Sequence, residues 1–170
     1  MNIFRWVGKV VLTPFLLFAL PASAALDVRD ITLGAKEADI KRRFPSANCK
    51  ALEWESKAAD RRCDESRVSL GGVETQVTFY LKKDALEAFD VRFDTRELDR
   101  LVKFLKSRYG PPQSESKDSY DRKGSKAREV YKAAWESGKE RAVLTAQLEK
   151  RRASMLVSRG NFDEEIYRVR

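Results

Sequence analysis

Residues 77–112 read VTFYLKKDALEAFDVRFDTRELDRLVKFLKSRYGPP. Two periodicities follow each other in this stretch. Val77, Phe79 and Leu81 alternate with less apolar residues, Lys82-Lys83-Asp84 supplies a turn, and Phe89, Val91 and Phe93 alternate with Asp90 and Arg92. A period of two marks strands with one buried face, so the segment predicts an antiparallel hairpin. The period then changes. Asp94 is placed to cap a helix, with Glu97 three residues on as its reciprocal partner. Leu98, Leu101, Val102, Leu105 and Tyr109 keep one apolar face over three turns. Gly110 suits the left-handed position after a helix, and Pro111-Pro112 forbid its continuation.

Outward from this core, the pattern repeats weakly. Upstream, Ala35 to Phe44 predicts a short helix with Ile40 and Phe44 on one face, stopped by Pro45. Ala51 to Glu55 reads as a short strand, and Val68 with Leu70 as another before the Gly71-Gly72 turn. Downstream, Gln113 to Lys126 is polar and predicts a mobile loop. Tyr131, Ala133 and Trp135 alternate, Ser137-Gly138-Lys139 turns the chain, and Ala142, Leu144, Ala146 and Leu148 alternate again. Met155 and Val157 complete a last strand before Gly160-Asn161. The expected class is therefore α+β, with two helix-plus-antiparallel-meander units (α-βββ-α-βββ) that join their sheets or pack them together in one compact domain. Residues 25–93 form the first unit, 94–158 the second and 159–170 a charged tail.

The N-terminus has its own pattern. Arg5 and Lys9 make a basic start, Val10 to Leu20 is apolar apart from Thr13 and Pro14, and Ala22-Ser23-Ala24 places small residues at a cleavage site. Residues 1–24 are expected to be a signal peptide, because the run is short of the roughly 20 apolar residues that span a bilayer. A retained membrane anchor is the alternative. No Cys lies at the cleavage site, and no second long apolar run follows. Cleavage would leave a periplasmic domain of 146 residues from 170, long enough to bury a core.

That domain holds 32 basic and 26 acidic residues once Arg5 and Lys9 are removed, a net charge of +6. Its basic clusters, Lys41-Arg42-Arg43 and Lys150-Arg151-Arg152, are short and dispersed among acids. They read as solvated surface, or else as a patch for anionic lipid, glycan or an acidic partner. Cys49 and Cys63 are the two cysteines, and an even count in an exported chain reads as one disulfide. Their separation is too wide for a Cys-x-x-Cys redox pair. With no histidine to complete a common ligand set, zinc is not expected.

The same lack of histidine removes Ser-His-Asp and Cys-His catalysis. No Gly-rich phosphate loop follows a strand. Asp163-Glu164-Glu165 lacks the spacing of a calcium loop. No cofactor is expected, and nucleic acid is not an expected partner. A carboxylate-based hydrolase is possible in principle, but no feature selects its acidic pair. The candidate binding residues are Trp54, beside the disulfide loop, and Tyr120 with Arg122, in the long polar segment. Aromatics and Arg dominate interface hot spots. Trp135 is expected in the core.

Ile31-Thr32-Leu33-Gly34 before a short helix, the stop at Tyr109-Gly110-Pro111, and antiparallel strands after each helix resemble small bacterial envelope proteins with the β-lactamase-inhibitor-protein-like fold. That resemblance implies protein–protein binding through a sheet face or loop and supplies no catalytic residues. The lipidation Cys of the outer-membrane lipoproteins in that group is missing. The functional expectation is a non-enzymatic periplasmic binding or accessory protein that engages another envelope protein.

Overall fold

A computed structural model describes residues 25–122 and 125–167. The signal peptide expected over residues 1–24 lies outside them. Along the chain run β1 (Asp27–Val28), β2 (Ile31–Thr32), α1 (Glu37–Arg43), β3 (Asn48–Ala51), β4 (Arg61–Leu70), β5 (Val73–Lys82), β6 (Ala85–Phe93), α2 (Leu98–Tyr109), β7 (Ser114–Arg122), β8 (Ser125–Ser137), β9 (Glu140–Gln147), β10 (Arg152–Arg159) and α3 (Phe162–Glu165). β1 and β2 form a small ribbon. The other eight strands make one antiparallel sheet in the order β3-β4-β5-β6-β10-β9-β8-β7.

This overturns the expected α+β class with two helix-plus-meander units. The described residues are mostly antiparallel β, with three short helices and one unbroken eight-stranded sheet. Two physical causes account for the error. First, β6 pairs with β10 over six residue pairs, so hydrogen bonds run straight through the expected unit boundary. Second, strands were hidden in polar sequence. β7 occupies the expected loop, pairing Ser114 with Ala134 through Tyr120 with Arg128. It is an edge strand of mostly exposed, polar residues, so no apolar alternation betrays it. β3 pairs with β4 at the other edge, centred on residues 48–51 rather than 51–55.

Where alternation was strong, it held. Val73, Val77, Phe79 and Leu81 of β5 and Phe89, Val91 and Phe93 of β6 point into the main core. The hairpin turns at Lys83 and Asp84, both with positive φ. Ile40 and Phe44 from the α1 segment and Leu98, Leu101 and Leu105 of α2 cover this inner face. Phe79 lies 5.4 Å from Phe44 and 6.3 Å from Phe89 between ring centroids. Asp94 does cap, but through a hydrogen bond from the Arg96 amide at 2.9 Å that opens a 3₁₀ turn at Thr95–Glu97 ahead of α2. Gly110 ends α2 at φ 81°. Gly71 is required twice: its φ is +57°, and a Cβ there would lie 2.4 Å from Phe104 Cγ of α2.

The outer sheet face is different. Tyr80 and Ala88 alternate with Phe79 and Phe89 and so emerge opposite the helices. There, Ala58, Ala59, Phe162 and Ile166 bury them in a second apolar cluster. The residues expected to form a solvated tail thus include two core side chains, Phe162 and Ile166, exposed by only 5% and 4%.

Candidate functional site

The outer face of the sheet carries a charged cleft and, beside it, an apolar platform. The cleft starts from a row of side chains laid across four strands, Gln76, Arg92, Ser154 and Thr145. Past that row, β6 leads into the Asp94 turn and α2, while the β9–β10 connection carries Lys150, Arg151 and Arg152. Arg151 takes a left-handed conformation at φ 52°, which closes this connection. Between the two connections lies a cleft of about 1100 Å³. Six basic residues line it, Arg92, Arg96, Arg100, Lys150, Arg151 and Arg152, against Glu74, Asp94 and Glu97.

Most of the lining acids are neutralised locally. Arg96 meets Asp94 at 2.8 Å and Arg100 meets Glu97 at 3.0 Å. The hydrogen bonds from the Arg96 side chain and backbone hold Asp94 below the usual carboxylate range, and the Arg151 charge adds to this. Arg92 reaches out of the cleft to Asp90, at 2.7 Å. Burial pushes the Asp90 carboxyl up, and Arg92 opposes the shift. Lys150, Arg151 and Arg152 are exposed and, among the described residues, form no salt bridge; Arg151 acts on Asp94 through its charge alone. The cleft therefore has unspent positive charge on a concave wall, which focuses the field toward an anionic group.

The platform is built by the 52–60 loop folding back over β4 and β5. Leu52 N–H donates to Asp60 C=O, and Asp60 N–H donates to Leu81 C=O, both at 2.9 Å. This places Leu52, Trp54, Ala58 and Ala59 beside Tyr80, Ala88 and Leu156. The Arg62 guanidinium lies 6.0 Å from the Trp54 ring centroid.

No protein-family model matches the sequence, and no curated protein matches it. A solved structure aligns with this chain. It is the crystal structure of a DUF4309 family protein (YjgB) from Bacillus subtilis subsp. subtilis str. 168, at 11% identity and a TM-score of 0.40, over 82% of this chain and 88% of that chain.

Trp54 is half-buried and already engaged. Its indole N–H donates to the Ile166 carbonyl at 2.9 Å, and its ring stacks on Tyr167 at 6.1 Å. Tyr120 lies on edge strand β7 and is 53% exposed. Arg122 ends the same strand, paired with Ser125, and its side chain lies outside the described set. Trp54 follows β3 and Tyr120 sits on β7, so the two aromatics belong to opposite edges of the sheet and form no common site. Trp135 is 2% exposed and donates its indole N–H to the Gly110 carbonyl at 2.9 Å.

Cys49 and Cys63 form the disulfide, facing each other across β3 and β4. Glu37 lies close enough to both sulfurs to complete a three-residue cluster, but bonded sulfurs offer no thiolate to a metal. No helix among the described residues is long and apolar enough to cross a membrane. Sequence reasoning missed the union of Arg92, Arg96 and Arg100 with the 150–152 triplet. The triplet was visible as a charge run, but the sheet register that joins it to Arg92 was not.

Proposed function

We propose that this chain is a non-catalytic binding or accessory module that acts outside the cytoplasm and engages an acidic partner protein of the cell envelope through the basic cleft. The observation that carries the reading is the cleft itself. Its acids at 94 and 97 are paired with Arg96 and Arg100, and Lys150, Arg151 and Arg152 line it without a salt bridge among the described residues. The disulfide supports an oxidising compartment.

The test compares the full chain with K150E/R151E/R152E. Envelope extracts are passed over each, and captured proteins are eluted in a salt gradient. The wild type should retain an acidic protein that elutes as salt shortens the Debye length below about 8 Å, and the variant should not. Equal capture by both would refute the cleft as the site. A parallel arm uses vesicles of anionic phospholipid. Binding to vesicles, lost in the variant and with no protein retained, would move the reading to a lipid or glycan surface, which the same surplus charge also favours.

A further inference from the structure

The segment from Phe162 to Tyr167 lies on the platform as a ligand lies in a receptor. Phe162 and Ile166, four residues apart on the one-turn helix α3, insert into the apolar cluster. Phe162 meets the Tyr80 ring at 5.4 Å, and Tyr167 covers Trp54. The polar contacts are to main chain. Trp54 N–H donates to the Ile166 carbonyl, and Ser56 Oγ–H donates to the Glu165 carbonyl at 3.2 Å. Carbonyls at a helix C-terminus have no partner within the helix, so these two donors cap any helix that reaches the site. The acids Asp163 and Glu164 point to solvent, and neither joins an ion pair among the described residues. Recognition thus rests on two apolar positions, one terminal ring and backbone carbonyls.

The segment has one covalent tie to the sheet. It is tied to β10 through Gly160, whose φ is +57° and around which a Cβ would meet nothing within 4 Å. A single helical turn has little stability of its own. The platform, in contrast, is held by the β4, β5 and β6 ladders and by the backbone bonds of residues 52 and 60.

We infer that the platform of Trp54, Ser56, Tyr80 and Ala88 is a peptide-binding site for a short helical segment with an aromatic and an aliphatic residue four apart and an aromatic next, occupied in cis by Phe162, Ile166 and Tyr167 and open to a matching segment of a partner protein. It is distinct from the basic cleft, two side-chain rows away on the same face.

The probe is a synthetic peptide of residues 160–170, GNFDEEIYRVR, added to the full chain carrying F162A/I166A. Circular dichroism first establishes that the variant is folded. Trp emission should then change saturably with peptide, the change should vanish in the added background of W54F, and a peptide with both apolar anchors replaced by Ala should give none. A folded variant with no saturable response overturns the proposal. Hydrogen exchange on the wild type gives an answer even if that variant unfolds. The amides of Glu164, Glu165 and Ile166 should exchange about a hundredfold faster than those of β5 and β6, as in a locally opening unit, and faster still with excess peptide. Protection equal to that of the sheet would make the segment permanent core and overturn the proposal. A wild-type dimer that is lost in F162A/I166A would assign the site to a second copy's tail and overturn it as well.

Discussion

Replacing Gly71 with Ala tests how α2 is seated on the sheet. At φ +57° an L-residue costs roughly 1–2 kcal/mol relative to glycine. The added Cβ would also lie 2.4, 2.6 and 2.7 Å from Cγ, Cβ and Cδ2 of Phe104. These atoms sit at the base of that side chain, so rotating a free end does not relieve the overlap. Overpacking of this kind costs about 1–3 kcal/mol, which brings G71A to a loss of about 2–5 kcal/mol. Gly72 is the control. It also has positive φ, at +78°, but a Cβ there meets nothing within 4 Å, so G72A should lose only the conformational part, about 1–2 kcal/mol. Urea unfolding of G71A, G72A, F104A and G71A/F104A measures the difference as a double-mutant cycle. With Phe104 truncated to Ala, the overlaps with Cγ and Cδ2 go but the one with Cβ, at 2.6 Å, stays, so the Gly71 substitution should fall part of the way toward the cost of the Gly72 substitution, a coupling of about 1–2 kcal/mol. If G71A is no worse than G72A, or if the cycle shows no coupling, Phe104 does not rest on this turn and the seating of α2 described above is wrong.

Three further outcomes follow from single interactions. Replacing both Cys49 and Cys63 with Ser should lower stability by about 3 kcal/mol, read as the urea midpoint with and without reductant on the wild type, because their sequence separation is 14 residues. Glu37 is held down to about 2 from 4.5 by hydrogen bonds from Arg61 and Lys41. A depressed folded pKa contributes stability that is present above 4.5 and lost as pH falls toward 2, so E37Q should flatten the wild-type loss of stability across that window, read by urea unfolding at a series of pH values. W135F removes the indole hydrogen bond to the Gly110 carbonyl and shrinks a buried ring, so thermal or urea unfolding should show a loss of about 1–3 kcal/mol.

How far the site was legible varies residue by residue. The disulfide could be paired by count alone, because an even number of two permits one bond. Trp54 was expected as a binding residue beside the disulfide loop; its hydrogen-bond partner lies 112 positions away at Ile166, and no local pattern connects them. Phe162 and Ile166 did carry a signal: apolar residues four apart after Gly160-Asn161, a helix-like spacing inside a charged tail. The surrounding acids masked it. Tyr120 was correctly placed in a polar segment, but that segment is a strand. Its pairing depends on β8, not on its own composition.

Local sequence alone determined the elements whose side chains alternate or recur against a single buried surface: the 77–93 hairpin, the amphipathic run from Leu98 to Tyr109, the strands at 131–135 and 142–146, and the turns at glycines. There the period of burial is written in adjacent residues. Only the tertiary structure decided that the strands form one sheet, that polar edges join it, and that the terminal segment closes on the outer face. Those outcomes are set by backbone hydrogen bonds, which are the same for every side chain, and by contacts between residues far apart in the chain. The basic cleft belongs to this second class, since Arg92 and Lys150 come to line one cleft only once β6 and β10 have paired.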